Sequence, residues 1–147
     1  MGGGFSGQNW TVFGRIRLVD LGGYHWDEYL LFSPTSGYAW LEEDEGKWSL
    51  ERKSKNKPEF DPKASKEGQR FAFLGESYEI VERGQGTIEY IEGEFPYHAE
   101  QGDRISTADA KALNSRSRIS ASWTASELEW LSGKALSERT VFRAFGI

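Results

Sequence analysis

Asp27 and Glu28 stand side by side in His25-Trp26-Asp27-Glu28-Tyr29-Leu30-Leu31-Phe32, a run that is otherwise mostly aromatic and aliphatic. Carboxyls in such surroundings must find a cation or several donors, or stay protonated. An extended chain sends adjacent side chains to opposite faces, so these two acids cannot form a paired-carboxylate dyad. Glu28 is in phase with Trp26, Leu30 and Phe32 and therefore points toward an aromatic-lined face. The bland expectation for it is an ion pair with Arg15 or Arg17 of the preceding strand. The functional one is an aromatic pocket that holds a basic ligand, or a Lys or Arg of another protein.

Other chemistry is thin. His25 and His98 are far apart, and no His-Glu-x-x-His, phosphate-binding glycine loop or glycine-flanked serine nucleophile occurs. The chain has no cysteine, which removes disulfides, thiolate metal sites and cysteine nucleophiles together. Glu42-Glu43-Asp44-Glu45 lacks the alternating ligands and central glycine of a calcium loop and is expected to be a solvated turn. No catalytic residue, metal site or cofactor is assigned.

The elements that must position Glu28 read as strands. From Trp10 to Leu18 the pattern has period two, with Trp10, Val12, Gly14, Ile16 and Leu18 on one face and Thr11, Arg15 and Arg17 on the other. Asp20-Leu21-Gly22-Gly23 breaks that strand. Residues 25–32, 38–43 and 47–51 follow as further strands with turn residues between them, and each carries a tryptophan. Strand signals recur at 71–74, 78–81 and 87–91, with Gly84 and Gly86 suggesting a hairpin turn between the last two. Residues 98–117 look polar and irregular, after which Ile119, Ala121 and Trp123 alternate again and Leu128 and Trp130 extend the strand region. Ser137 and Glu138 suit a helix start and Gly146 a helix end, so residues 137–145 are expected to be helical.

At 147 residues, with six tryptophans, six tyrosines and nine phenylalanines, the chain can build one domain with an aromatic core. The expectation is a single, mainly β domain over residues 1–147: an antiparallel meander, partly open barrel or sandwich with a short C-terminal helix. The glycine-rich residues 1–6 read as a flexible tail. A formal net charge of −5 argues against strong nucleic-acid binding. The charge is uneven, because residues 52–70 hold seven basic side chains against three acidic ones. Residues 52–69 read as a long basic surface loop. No run approaches the roughly 20 apolar residues of a transmembrane helix, and no signal-peptide pattern opens the chain. A cytoplasmic location is expected.

Several pieces, in order, resemble a bacterial family, the domain-of-unknown-function family 4178. They are Gly14-Arg15-Ile16, Trp26-Asp27-Glu28-Tyr29-Leu30-Leu31, Trp40-Leu41, Gly46-Lys47-Trp48, Gly93-Glu94-Phe95-Pro96 and the closing Glu127-x-x-Trp130-x-Ser-Gly133 with Phe145. The resemblance spans nearly the whole chain, and Trp-x-Glu-Tyr-x-Leu is its most specific part. Tyr97 stands where the family pattern leads one to expect Trp, and the 52–69 excursion is long. The resemblance implies a mainly β domain of bacterial origin, with genes for membrane-stress proteins and polyamine-type enzymes as frequent neighbours. It implies no activity and no catalytic residues.

The function expected from all this is a non-catalytic protein- or ligand-binding adaptor module. Its working surface would be the aromatic sheet around Trp26, Glu28, Tyr29, Trp40 and Trp48, and its partner another protein, in keeping with a membrane-stress setting. The alternatives are a small enzyme or small-molecule sensor using Glu28 or His98, and weak nucleic-acid contact through Lys53, Lys55 and Lys57.

Overall fold

The alternating sequence folds into ten antiparallel strands, seen in a computed structural model that describes the backbone of residues 2–5, 8–96 and 99–145 and the side chains of 10–96 and 99–141. In chain order they are β1 (Gly2–Phe5), β2 (Gln8–Val19), β3 (His25–Ser33), β4 (Gly37–Asp44), β5 (Lys47–Lys53), β6 (Arg70–Phe73), β7 (Glu76–Gly93), β8 (Arg104–Ala112), β9 (Ser117–Trp123) and β10 (Leu128–Leu136). Helix α1 (Glu138–Phe145) ends the described chain, and Ser137 caps it by accepting from the Thr140 N–H at 3.1 Å. Gly146 lies outside the described residues. Among those described, no helix is long and apolar enough to cross a membrane.

Strands β2–β5 form one meander and β7–β10 another. β5 pairs with β10, and β2 pairs with β7, so the two meanders close into an eight-stranded barrel. Closure removes the free edges that the open alternatives would leave. β1 adds to the first half of β2, and β6 to the first half of β7. A strand thus occupies Gly2–Phe5, where a flexible tail was expected.

Two departures from simple alternation shape the interior. A bulge between Val12 and Gly14 shifts the register of β2 against β3. Trp10 and Val12 therefore join an outer cluster with Leu31, Leu41, Leu50 and Val141, while Ile16 and Leu18 face inward with Ile88. The single apolar face expected for Trp10–Leu18 is split between outside and inside. The second departure is β7, which runs unbroken through Gly84 and Gly86 where a hairpin turn was expected. Gly86 is there for space: a Cβ would lie 2.4 Å from the Trp26 indole.

The residues read as irregular contain β8. Its Ala110 and Ala112 join an outer cluster with Tyr78, Ile119 and Trp130, Ala108 borders the same group, and its Thr107 and Asp109 alternate with them. The basic excursion after β5 covers that cluster. Asp61 caps a short 3-10 turn at Pro62–Ala64, and the Phe60 ring sits 4.7 Å from Phe71 and 5.6 Å from Trp130.

Candidate functional site

Asp27 and Glu28 take opposite sides of the barrel wall, as strand geometry requires. Asp27 is on the outside, where Arg17 Nε and Nη2 donate to its two oxygens at 3.0 and 3.1 Å and Arg15 Nη2 donates at 3.3 Å. Arg17 and Asp27 are direct cross-strand partners. Burial alone would raise the Asp27 carboxyl, but the two guanidiniums hold it below its ordinary value. The arginines expected for Glu28 are thus taken by its neighbour.

Glu28 faces inward among other acids. It stands directly opposite Glu42 in the β3–β4 register, and Glu42 is opposite Ser49 on β5. Two residues along β5, Glu51 is 5% exposed and its Oε1 accepts from Ser120 Oγ at 3.0 Å. Ser120 is the cross-strand partner of Asp109. The Glu51–Ser120 bond reaches across β10 at Gly133, the residue that pairs with both Glu51 and Arg118. A Cβ at Gly133 would fall 1.9 Å from the Leu50 carbonyl oxygen, so only glycine permits this approach of β10 to β5.

Among the described residues, four carboxyls from four strands (Glu28, Glu42, Glu51 and Asp109) therefore share the interior with the Arg118 side chain, whose Nε is buried without a hydrogen-bond partner. All four are pushed upward. Burial is the largest cause for each, and repulsion from a neighbouring carboxylate adds to it, from Asp44 in the case of Asp109. The Trp26 indole N–H, donating to Glu28 Oε2 at 3.1 Å, offsets part of the shift, and Glu28 lies at about 7.

The cluster opens into a cavity of about 100 Å³. Glu28, Glu42 and Asp109 line it together with Asp20, Asp44, Glu82, Tyr24, Trp26 and one basic residue, Arg83. Glu28 and Glu42 are packed round by protein yet keep surface on this cavity. The Tyr24 hydroxyl donates to Asp44, which holds the phenol in its protonated form. The acidic run was expected to be a solvated turn. Instead, Glu42 and Asp44 belong to β4 and line the cavity, while Glu43 accepts from the Gly46 N–H. Among the described residues, no three carboxyl or imidazole groups converge closely enough to hold a metal ion.

The structure divides the aromatic residues singled out in the sequence. Trp26, Glu28 and Trp40 are inside, with Trp40 stacked on Phe95 at 6.2 Å. Tyr29 and Trp48 lie outside, stacked on each other at 6.4 Å and packed on the cluster that α1 covers. They do not form one surface. His25 is also outside, 2.8 Å from Glu89, and His98 lies outside the described residues. Sequence reasoning missed Glu42, Glu51, Asp109 and Arg118 as site residues. The regular alanines of β8 were the available signal for Asp109.

The family model described as Domain of unknown function (DUF4178) matches residues 3–138. No curated protein and no solved structure matches the chain.

Proposed function

Since the chain belongs to the DUF4178 family of domains of unknown function, its activity has to be argued from its own geometry, and we propose that it is a binding module for a small organic cation. The observation that supports this is the excess of carboxyls over cations at the cavity: Asp20, Glu28, Glu42, Asp44, Glu82 and Asp109 border it against Arg83, with Glu51 and Arg118 packed in the same interior. A buried carboxylate without a counter-charge is unfavourable, and an entering cation relieves that. Trp26 on the cavity wall adds an aromatic surface suited to a cationic group.

Size and geometry narrow the ligand. A cavity of about 100 Å³ has room for several waters, each needing roughly 10–15 Å³ on this measure, and so for a small cation. The spread of the acids over four strands suits an ammonium or guanidinium with several donors, rather than a metal ion that needs convergent ligands. This reading moves the working surface from the aromatic sheet to the barrel interior, retaining Trp26, Glu28 and Trp40.

Calorimetry at pH 8 with methylammonium and methylguanidinium, against neutral N-methylurea, tests the proposal. Saturable binding of either cation, none of N-methylurea, and at least tenfold weaker binding in Glu28→Gln are expected. Failure of both cations to saturate, or equal binding of the neutral compound, rejects it.

A further inference from the structure

The interior acids also imply how such a site is controlled, an inference that rests on the cation-binding reading above. We propose that cation uptake is an exchange: the entering charge displaces a proton shared among Glu28, Glu42, Glu51 and Asp109, so that acidification empties the site.

The argument begins with placement. Glu28 and Glu42 are direct cross-strand neighbours, and side chains so paired lie roughly 5 Å apart at Cβ. Two carboxylates at that distance in an enclosed space cannot both ionise cheaply. The groups around them give little relief. From β2, Ile16 lies opposite Glu28 and carries no charge. From the turn after β2 come Asp20 and Tyr24, from β4 Asp44, and from β7 Glu82, all acidic or neutral; Arg83 of β7 also borders the cavity, but its guanidinium donates to the Lys63 carbonyl and lies over the Trp123 ring on the outer face. From β5 and β8 come Glu51 and Asp109; β10 contributes only Gly133 at this level. β9 supplies Ser120 and Arg118, and Arg118 is the one cation acting on Glu42, Glu51 and Asp109.

One fixed positive charge facing four carboxyls leaves the empty cluster partly protonated near neutral pH. The upward displacement of all four acids agrees with this. When a cation enters, a carboxyl O–H bond breaks, the proton passes to solvent buffer and the carboxylate left behind becomes the counter-ion. Nothing is oxidised or reduced. Because proton and ligand compete for the same oxygens, affinity falls as pH falls.

Methylguanidinium is the suitable probe because a guanidinium keeps its charge throughout the pH range. Its binding heat at pH 7 is compared in phosphate and HEPES, two buffers of different ionisation enthalpy that carry no net positive charge. A difference corresponding to about one proton released per ligand is expected, with affinity rising up to about tenfold per pH unit between pH 6 and 7. Glu42→Gln, or Glu28→Gln in its place, lowers the proton count by half or more. Asp27→Asn, on the outer face, leaves it unchanged. Saturable binding with equal heats in both buffers and no pH dependence overturns the exchange but leaves the cation site standing. Proton release unaltered in both glutamine variants also overturns it. Absence of binding from pH 5 to 9 overturns the cation site, and the exchange with it.

Discussion

Asp27 lies between two guanidiniums and Glu28 among carboxyls, although one peptide bond separates them. This contrast sets opposite expectations for removing each charge. Asp27→Asn leaves Arg15 and Arg17 without their carboxylate and is expected to cost about 1–2 kcal/mol by urea denaturation at pH 7. Glu28→Gln removes an acid that is unfavourable when ionised. The variant is expected to match or exceed the parent in stability at pH 8 and lose that advantage at pH 5, while binding cations less well. A Glu28→Gln variant less stable at pH 8 would mean that the carboxylate has a compensating positive charge in the folded state. The alternation at positions 26–32 was enough to send Glu28 inward. It could not say that Asp27 would take both arginines, because that depends on which face of β2 the bulge at Phe13 turns outward.

Among the elements, β10 and β7 owe their paths to glycine. Gly133 lets β10 approach β5 and lets Glu51 reach Ser120 over it. Gly133→Ala is expected to destabilise the protein by at least about 2 kcal/mol, since the clash is with backbone rather than a movable side chain. Gly86→Ala meets side chains alone, the tip of the Trp26 indole and, at 3.2 Å, Leu18 Cδ2. The expected result there is a smaller loss of stability, with altered indole fluorescence and weaker cation binding. The strands of the first meander were legible because each is apolar and bounded by turn residues. β8 was not, because its outward residues are alanines and its inward residues are polar, which inverts the usual contrast between a buried and a solvated face.

For the whole molecule the interior acids predict an unusual pH dependence. Glu28, Glu42, Glu51 and Asp109 all bind protons more tightly when folded than their ordinary values allow. Between those ordinary values, near 4, and the raised ones, the folded chain holds more protons than the unfolded chain. Stability therefore falls as pH rises through this window, which for Glu28 extends to about 7. Asp27 is displaced downward, so its contribution is lost as pH falls below its ordinary value of 3.8. Without a cation, melting temperature is expected to be highest near pH 5 and lower by a few degrees at pH 8. Saturating methylguanidinium is expected to restore much of the difference at pH 8. Thermal scans from pH 3.5 to 8.5 measure both, and a melting temperature still rising from pH 5 to 8 contradicts the account of the interior.

Period-two patterning and turn chemistry, both local properties, were sufficient for an antiparallel β domain with a short helix after Ser137. They were also sufficient to place Glu28 on the same face as Trp26. Closure and charge placement are not local. The pairings of β2 with β7 and β5 with β10 join residues 60 or more positions apart, and they bring Glu51, Asp109 and Arg118 to Glu28 and Glu42. Single strands show each of these acids as an ordinary polar residue on a half-buried face. Only when the sheet closes does that face become an interior, where the loss of water turns four separate carboxyls into one coupled site.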